Sequence, residues 1–320
     1  MSEDYCSTIN AEEPLPGTAP PVSSWVIIEA PGSWPNRPLL DGPLGALGVE
    51  LAARTEGTAT RVQLARRPER TGNGRTGDGP NRRVWFAHTA PGGVRQSIAE
   101  LTDLDSLLDV DLVALGQGEL PAVGRTDMTP HLFLCQNGKR DACCARLGRP
   151  LVTALAAEFP GQVCETTHLN GHRFAPTALL LPYGVIHGRL DLAGAREVLT
   201  AAADRRTVVE STRGRSALAQ PLQVAELAVR SAYDITGIDV LDVLKVGATG
   251  KFLSVPTLAK FDGPHVEVEV RHVDGRSWRV VVDRSEILPR PESCGGALVA
   301  GKSYVARTPE LAMPWRTPPR

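Results

Sequence analysis

Short apolar runs alternate with stretches of helical spacing along the first two thirds of the chain. Trp25–Glu29 (WVIIE) predicts a short buried strand, and Leu44–Ala53, beyond a Pro- and Gly-rich turn, has the spacing of a helix. Thr60–Ala65 and Arg83–His88 predict strands, and Asp103–Leu115 predicts a second helix. The same order then returns. His131–Cys135 (HLFLC) predicts a strand, and Ala145–Phe159 a helix with Leu151, Leu155 and Phe159 on one face. Gly148 and Pro150 place a break or kink near the start of that helix. Gln162–Thr167, Thr177–Leu181 and Tyr183–Leu190 predict strands, and Leu192–Ala203 an Ala-rich helix with Asp191 as its N-cap. Both stretches read β-α-β-β-α, an order that suits an α/β fold: a thioredoxin-like mixed sheet with flanking helices, in two tandem halves.

The flanks are different in character. Residues 1–22 are rich in Glu, Pro, Ser and Thr and predict a flexible tail. Residues 23–118 then form the first half, 119–206 the second, and 207–320 a small C-terminal α+β extension. In that extension Gln220–Tyr233 predicts a helix. Val266, Val268 and Val270 alternate with Glu267 and Glu269, and with Trp278–Val282 they flank Asp274-Gly275 as a half-buried hairpin. From Leu288 onward the chain is Pro-rich and predicts irregular structure. The Gly-dense stretch RRPERTGNGRTGDGPNRR carries Arg66, Arg67, Arg70, Arg75, Arg82 and Arg83 against Glu69 and Asp78, and predicts a solvated surface loop.

Composition narrows the functional classes. Lys and Arg number 35 and Asp and Glu 36, a net charge of -1 that argues against a nucleic-acid binder. No run approaches the length of apolar residues a membrane-spanning helix needs. The start, MSEDYCSTINAEE, lacks the basic and apolar regions of a secretory signal, so a cytoplasmic protein is expected. Six Cys in 320 residues are too sparse for a disulfide scaffold. Neither G-x-G-x-x-G after a strand nor G-x-x-x-x-G-K-[ST] occurs.

One segment concentrates reactive side chains. Cys135 ends a predicted strand, Cys143 and Cys144 follow in the first turn of the next helix with Asp141 as N-cap, and His168 and His172 lie in a Gly-containing loop after the following strand. In a thioredoxin-like sheet these two loops lie at one end, so two Cys and two His can converge. A Cys2His2 zinc site is one reading, although C-x8-C is longer than the usual spacing in structural zinc sites. A thiol oxidoreductase using Cys135, Cys143 or Cys144 is another, although no C-x-x-C is present. Cys164 reads as core, Cys294 has no evident partner, Cys6 falls in the tail, and His131 and His187 read as structural. Trp25, Trp34 and Trp85 read as core.

C-x8-C enclosing Arg-Asp, then H-x-x-G-H-[RK]-F-A, a strand and P-x-G, resembles the sucrase/ferredoxin-like family. The resemblance rests on Cys135, Arg140, Asp141, Cys144, His168, Gly171, His172, Phe174, Ala175, Pro182 and Gly184. It is strong over residues 130–190 and weaker at WVIIEAPGSWP. Pro176 falls near the place where thioredoxin folds often hold a cis-proline. The resemblance implies an electron-transfer protein with one 2Fe–2S cluster, held by Cys135 and Cys144 on one iron and by His168 and His172 on the other. It implies no catalytic residues, and a redox partner protein or small electron donor or acceptor, with no nucleic acid and no membrane. Two neutral imidazoles in place of two thiolates leave less negative charge, so the potential rises, as in Rieske centres at roughly −150 to +300 mV against about −400 mV for plant-type ferredoxins. The imidazoles also titrate, so the potential is expected to depend on pH.

Overall fold

A computed structural model describes residues 5–68, 81–247 and 251–313. A short helix, α1 (Cys6–Ile9), precedes β1 (Ser24–Glu29), α2 (Gly45–Thr55), β2 (Thr60–Arg66), β3 (Arg82–His88) and β4 (Arg95–Leu101). Next come α3 (Leu112–Gly116), β5 (Arg125–Thr126), β6 (His131–Cys135), α4 (Ala142–Glu158), β7 (Val163–Thr166), β8 (Ala178–Leu181) and β9 (Val185–His187). α5 (Leu192–Ala203) and β10 (Thr212–Arg215) complete the larger layer. The rest comprises α6 (Gln220–Tyr233), β11 (Leu241–Val246), β12 (Phe252–Leu253), β13 (His265–His272), β14 (Ser277–Pro291), β15 (Leu298–Ala306) and β16 (Glu310–Met313).

The first ten strands form one mixed sheet in the order β10-β9-β8-β6-β7-β2-β1-β3-β4-β5. β1 runs parallel to β2 and antiparallel to β3, and β6 runs parallel to β7 and antiparallel to β8. The two groups meet at β2 and β7 in a short ladder, Ala65↔Thr166 and Arg66↔Glu165, which an Arg66–Glu165 ion pair reinforces. Every residue of β1, β6 and β8 is buried, which explains why they read as continuous apolar runs rather than alternating ones. On one face Leu47 and Leu51 of α2 and Leu115 of α3 pack on Val26, Ile28 and Leu64. Leu151 and Leu155 of α4 and Val198 and Leu199 of α5 pack likewise on Leu132 and Leu134. The sheet curls, so its other face closes on itself, with Trp85 edge-on to Phe133 at 5.2 Å. The Ala175–Pro176 and Leu181–Pro182 peptides are cis.

Three stretches differ from the pattern reading. Asp103–Leu115 is a 3-10 turn at Asp105–Asp109 followed by α3, because the Asp111 carboxylate accepts from the Val113 and Ala114 amides and starts a new helix. The stretch after Leu288 is not irregular: β14 continues to Pro291 and pairs with β15. Its register with β13 ends at Asp283, so Pro289 and Pro291 fall where only one edge is paired and a missing amide costs least. Residues 5–22 carry few large apolar groups, yet Cys6, Ala19 and Val22 are buried in the inner core. Much of the Arg-rich stretch, including Arg70 and Arg75, lies outside the described residues. Arg67 pairs with Glu29 at 2.6 Å and Arg83 with Glu100 at 2.7 Å.

The extension is joined to the large sheet by charges. Buried Arg215 of β10 reaches Glu226 of α6 at 2.7 Å and Asp239 at 3.0 Å, and Arg230 completes the network at 2.9 Å from Glu226. No helix among the described residues is long and apolar enough to cross a membrane.

His187 of β9 gives the fold an acid sensitivity. It is fully buried, lies 3.0 Å from Ser211 Oγ, and burial pushes its pKa down to about 3. The unfolded chain therefore binds a proton that the folded chain refuses between about pH 6.5 and 3, so stability falls as pH falls through that window, by up to about 1.4 kcal/mol per pH unit. Urea unfolding of His187→Gln against the parent checks this: the variant loses part of the slope below pH 6.5. Identical slopes would assign the acid loss to other groups.

Candidate metal centre

Cys135 ends β6, and β7 runs parallel in the register Cys135↔Thr166, stopping two residues before His168. The loop after β6 and the loop carrying His168 and His172 therefore leave the sheet at the same end. The loop after β6 turns into α4 at Asp141, whose Oδ1 accepts from the Cys143 amide at 3.0 Å. That cap puts two adjacent cysteines in the first turn, where neighbouring side chains point about 100° apart. Cys144 turns toward the sheet: its Sγ, Cys135 Sγ and a ring nitrogen of His168 all lie within 4.8 Å of one another. Cys143 turns the other way, to Cys6, Cys294 and Asp141. α4 comes this close because residue 148 is Gly. A Cβ there would stand 2.3 Å from Gln136 Nε2 and 3.2 Å from the Cys135 carbonyl oxygen.

The histidine loop is held through its backbone. The His168 carbonyl accepts from Arg61 Nη2 at 2.8 Å and from Gln63 Nε2 at 3.0 Å. Gly171 takes φ of 71°, and His172 then opens a 3-10 turn. The His168 and His172 rings stand 5.0 Å apart between centroids, and His172 Nε2 lies 3.5 Å from Asp141 Oδ2. His168 Nδ1 and both ring nitrogens of His172 are buried without a hydrogen-bond partner. Buried polar atoms are nearly always satisfied, and each orphan costs about 1–3 kcal/mol. Among the described residues the structure brings His168 within 4.8 Å of both thiols, whereas His172 stays outside that group, beside Asp141.

The local charges agree. The Cys135 thiol is held well below its ordinary range by the Cys144 thiol donating to it, with His168 adding to the effect. That same bond, together with burial, pushes Cys144 up. Burial lowers His172, which favours the neutral imidazole that can ligate a metal. Burial also brings Arg61 down to about 10 and Arg213 down to about 9. Neither guanidinium has an ion-pair partner among the described residues. Arg213 instead bonds the Asn170 carbonyl at 2.9 Å, Thr18 Oγ1 at 3.0 Å and the Thr18 carbonyl. Arg213 is fully buried and Arg61 half-buried; an unpaired buried cation such as Arg213 is costly, and thiolates at this site would offset it.

The four residues are not equally accessible. Cys135 and Cys144 are 1% exposed, whereas His168 and His172 line a cleft of about 420 Å³ with Arg140, Arg173, Glu292 and Lys302 on its walls. Cys164 is plain core, pushed up to about 12 by burial. His131 is structural, its Nδ1 2.8 Å from the Thr129 carbonyl oxygen.

Two expectations need correction. Cys294, given no partner by its sequence context, lies 3.1 Å from Cys143 Sγ and 3.6 Å from Cys6 Sγ. Cys6, assigned to a tail, is buried beside them. Donors on Cys6, then on Ser7 and Cys294, bring the Cys143 thiol down to about 6, and burial pushes Cys294 up to about 11. Spacing gave no sign of this group, because its members are 137 and 151 residues apart. Arg61 and Arg213 were missed as well. Their only sequence signal is a charge within a strand, as in TRGR.

Gly171 offers a local test of the histidine loop. A Cβ there meets Arg213 Nη2 at 2.3 Å, on a backbone that disfavours L side chains by roughly 1–2 kcal/mol. Gly171→Ala should lower the urea midpoint and the metal content together. A variant with both unchanged would show that the loop does not depend on this turn.

A family model described as sucrase/ferredoxin-like matches residues 15–214. No curated protein and no solved structure matches the chain.

Proposed function

The chain belongs to the sucrase/ferredoxin-like family, and from its donor set we propose that it is a one-electron carrier holding a 2Fe–2S cluster. The observation that carries this reading is the meeting of Cys135, Cys144 and His168 within 4.8 Å, with His172 on the same loop as His168 and the buried guanidinium of Arg213 nearby without an ion-pair partner among the described residues. Cys135 and Cys144 would hold one iron, and His168 and His172 the other. When bound, such a cluster supplies a centre that takes up and releases one electron. Arg61 and Arg213 supply fixed positive charge that favours the reduced, more negative state. The buried thiol side is closed to solvent, so the cleft side, with His168 and His172, serves as the route for an electron to a partner. Arg140 and Lys302 on that cleft suit an acidic partner surface or a small anionic donor or acceptor.

We also read the strand groups β2-β1-β3-β4 and β7-β6-β8-β9 as tandem thioredoxin-like halves, residues 23–118 and 119–206, with 207–320 as an extension. The shared order and directions of the two groups support this. A cytoplasmic setting suits the reading, since reducing conditions preserve thiolate ligands.

Anaerobic purification with iron, sulfide and zinc analysis, followed by EPR after dithionite, tests the function. Two irons and two sulfides per chain, with visible absorption that bleaches on reduction, are expected. Stoichiometric zinc at Cys135, Cys144 and His168 without iron would overturn the proposal. That second reading has one observation behind it, the span of 4.8 Å that a single ion can bridge. The midpoint potential is expected to fall as pH rises. Ferric iron lowers the imidazole pKa more than ferrous iron does, so reduction takes up a proton between the two pKa values. The slope there is about 59 mV per pH unit for one proton per electron. A potential that stays flat into strongly alkaline pH in cluster-replete protein would remove the histidines from the ligand set.

A further inference from the structure

We propose that Cys6, Cys143 and Cys294, with Asp141, form a second metal site that takes a single thiophilic divalent cation, zinc by its donor chemistry. The Sγ atoms stand 3.6 Å (Cys6 to Cys143), 3.1 Å (Cys143 to Cys294) and 3.6 Å (Cys294 to Cys6) apart. Asp141 Oδ1 lies 3.2 Å from Cys294 Sγ and 4.0 Å from Cys6 Sγ. A tetrahedral ion with bonds of ~2.3 Å to sulfur spaces its thiolates about 3.8 Å apart, close to this triangle. A 2Fe–2S cluster needs its four protein ligands divided between two irons, whereas these four donor atoms all lie within 4.8 Å of one another, the span of a single ion. A disulfide would join two of the sulfurs and strand the third, whereas here each sulfur has two sulfur neighbours. The carboxylate can serve as fourth ligand while it caps α4, because an ionised Asp has about four acceptor positions. Two of them take the Cys143 amide at 3.0 Å and the Cys294 amide at 2.9 Å.

The segments that carry these ligands are held in place independently of any metal. Glu13 pairs with Arg290 at 2.7 Å and with Arg173 at 2.9 Å, joining the stretch after α1 to the end of β14 and to the histidine loop. Asn10 Nδ2 donates to the Pro291 carbonyl at 2.9 Å. The triangle of sulfurs is therefore a preorganised cage rather than a meeting of loose ends. Occupancy would clamp the N-terminal segment and the β14–β15 loop onto the first turn of α4. It would also fix Asp141 in its position 3.5 Å from His172, between the two centres.

Zinc and iron are measured separately in the full chain as purified, in the parent and in Cys6→Ser, Cys294→Ser and the core control Cys164→Ser. Cobalt(II) is then titrated into the zinc-depleted full chain. About one zinc per chain is expected in addition to any iron, together with the sulfur-to-cobalt and intense visible bands of a tetrahedral thiolate site. Cys294→Ser, on a partly exposed loop that should tolerate the change, lowers zinc content and cobalt affinity by about tenfold or more and leaves iron unchanged. Cys6→Ser does the same, and Cys164→Ser has no effect. Zinc retained in both Cys6→Ser and Cys294→Ser overturns the proposal, as does reduced parent protein that neither contains zinc nor develops the cobalt bands. A Cys143–Cys294 disulfide in most of the freshly purified protein overturns it too. Zinc lost from Cys6→Ser and Cys294→Ser reports on this site, and zinc that both variants keep but Cys135→Ser and Cys144→Ser lose reports on the first centre, so failure of one reading is distinguishable from failure of the other.

Discussion

Cys135→Ser and Cys144→Ser each bring the iron content of the purified protein close to zero, while Cys143→Ser and Cys164→Ser keep it. The two adjacent cysteines separate because α4 begins at Ala142 under the Asp141 cap. From consecutive positions in that first turn, Cys144 meets Cys135 and His168, and Cys143 meets Cys6 and Cys294. A serine hydroxyl is a much harder and less acidic ligand than a thiol. Both sulfurs are buried, so water has no access to replace the lost one. Iron and sulfide analysis of the four variants, each checked for folding by its unfolding midpoint, reads the result. Iron lost from Cys143→Ser and kept in Cys144→Ser would reverse the assignment of the two neighbours.

His168→Cys and His172→Cys keep a cluster but shift its midpoint potential downward, by an amount that is a substantial part of the gap between about −150 mV and about −400 mV separating the low end of Rieske centres from plant-type ferredoxins. Each change puts a thiolate where a neutral imidazole stood, and the added negative charge opposes reduction. Arg61 and Arg213 remain in place, so the shift isolates the ligand and not the surrounding field. Each substitution also removes an orphaned ring from a loop whose backbone is held through the His168 carbonyl and Gly171, so the loop itself survives. Voltammetry of both variants at one pH, alongside the parent, is the measurement. Potentials unchanged or raised in both would take the histidines off the iron.

The element pattern, the family and the local grouping of Cys135, Cys144 and His168 follow from sequence, because each depends on short-range order. β6 ends at Cys135, α4 starts at an Asp cap, and β7 ends just before His168. A parallel pairing of β6 and β7 then brings these residues to one edge of the sheet. The break of Asp103–Leu115 at Asp111 and the extension of β14 through two prolines lay beyond pattern reading. The first depends on a single capping carboxylate and the second on which edge of β14 is left unpaired. Cys6 and Cys294 lie 288 residues apart, and nothing in local spacing links them. The packing of α1 and of the β14–β15 loop against α4, held by Glu13 between Arg173 and Arg290, places them beside Cys143. The same holds for Arg61 and Arg213. Arg213 is buried and Arg61 half-buried, neither with an ion-pair partner among the described residues, and burial without a partner is a property of the folded surroundings. Sequence alone determined the short segments that carry Cys135, Cys144, His168 and His172 and their local order. The tertiary structure decided which of these residues meet, because long-range contacts are made by packing and not by spacing.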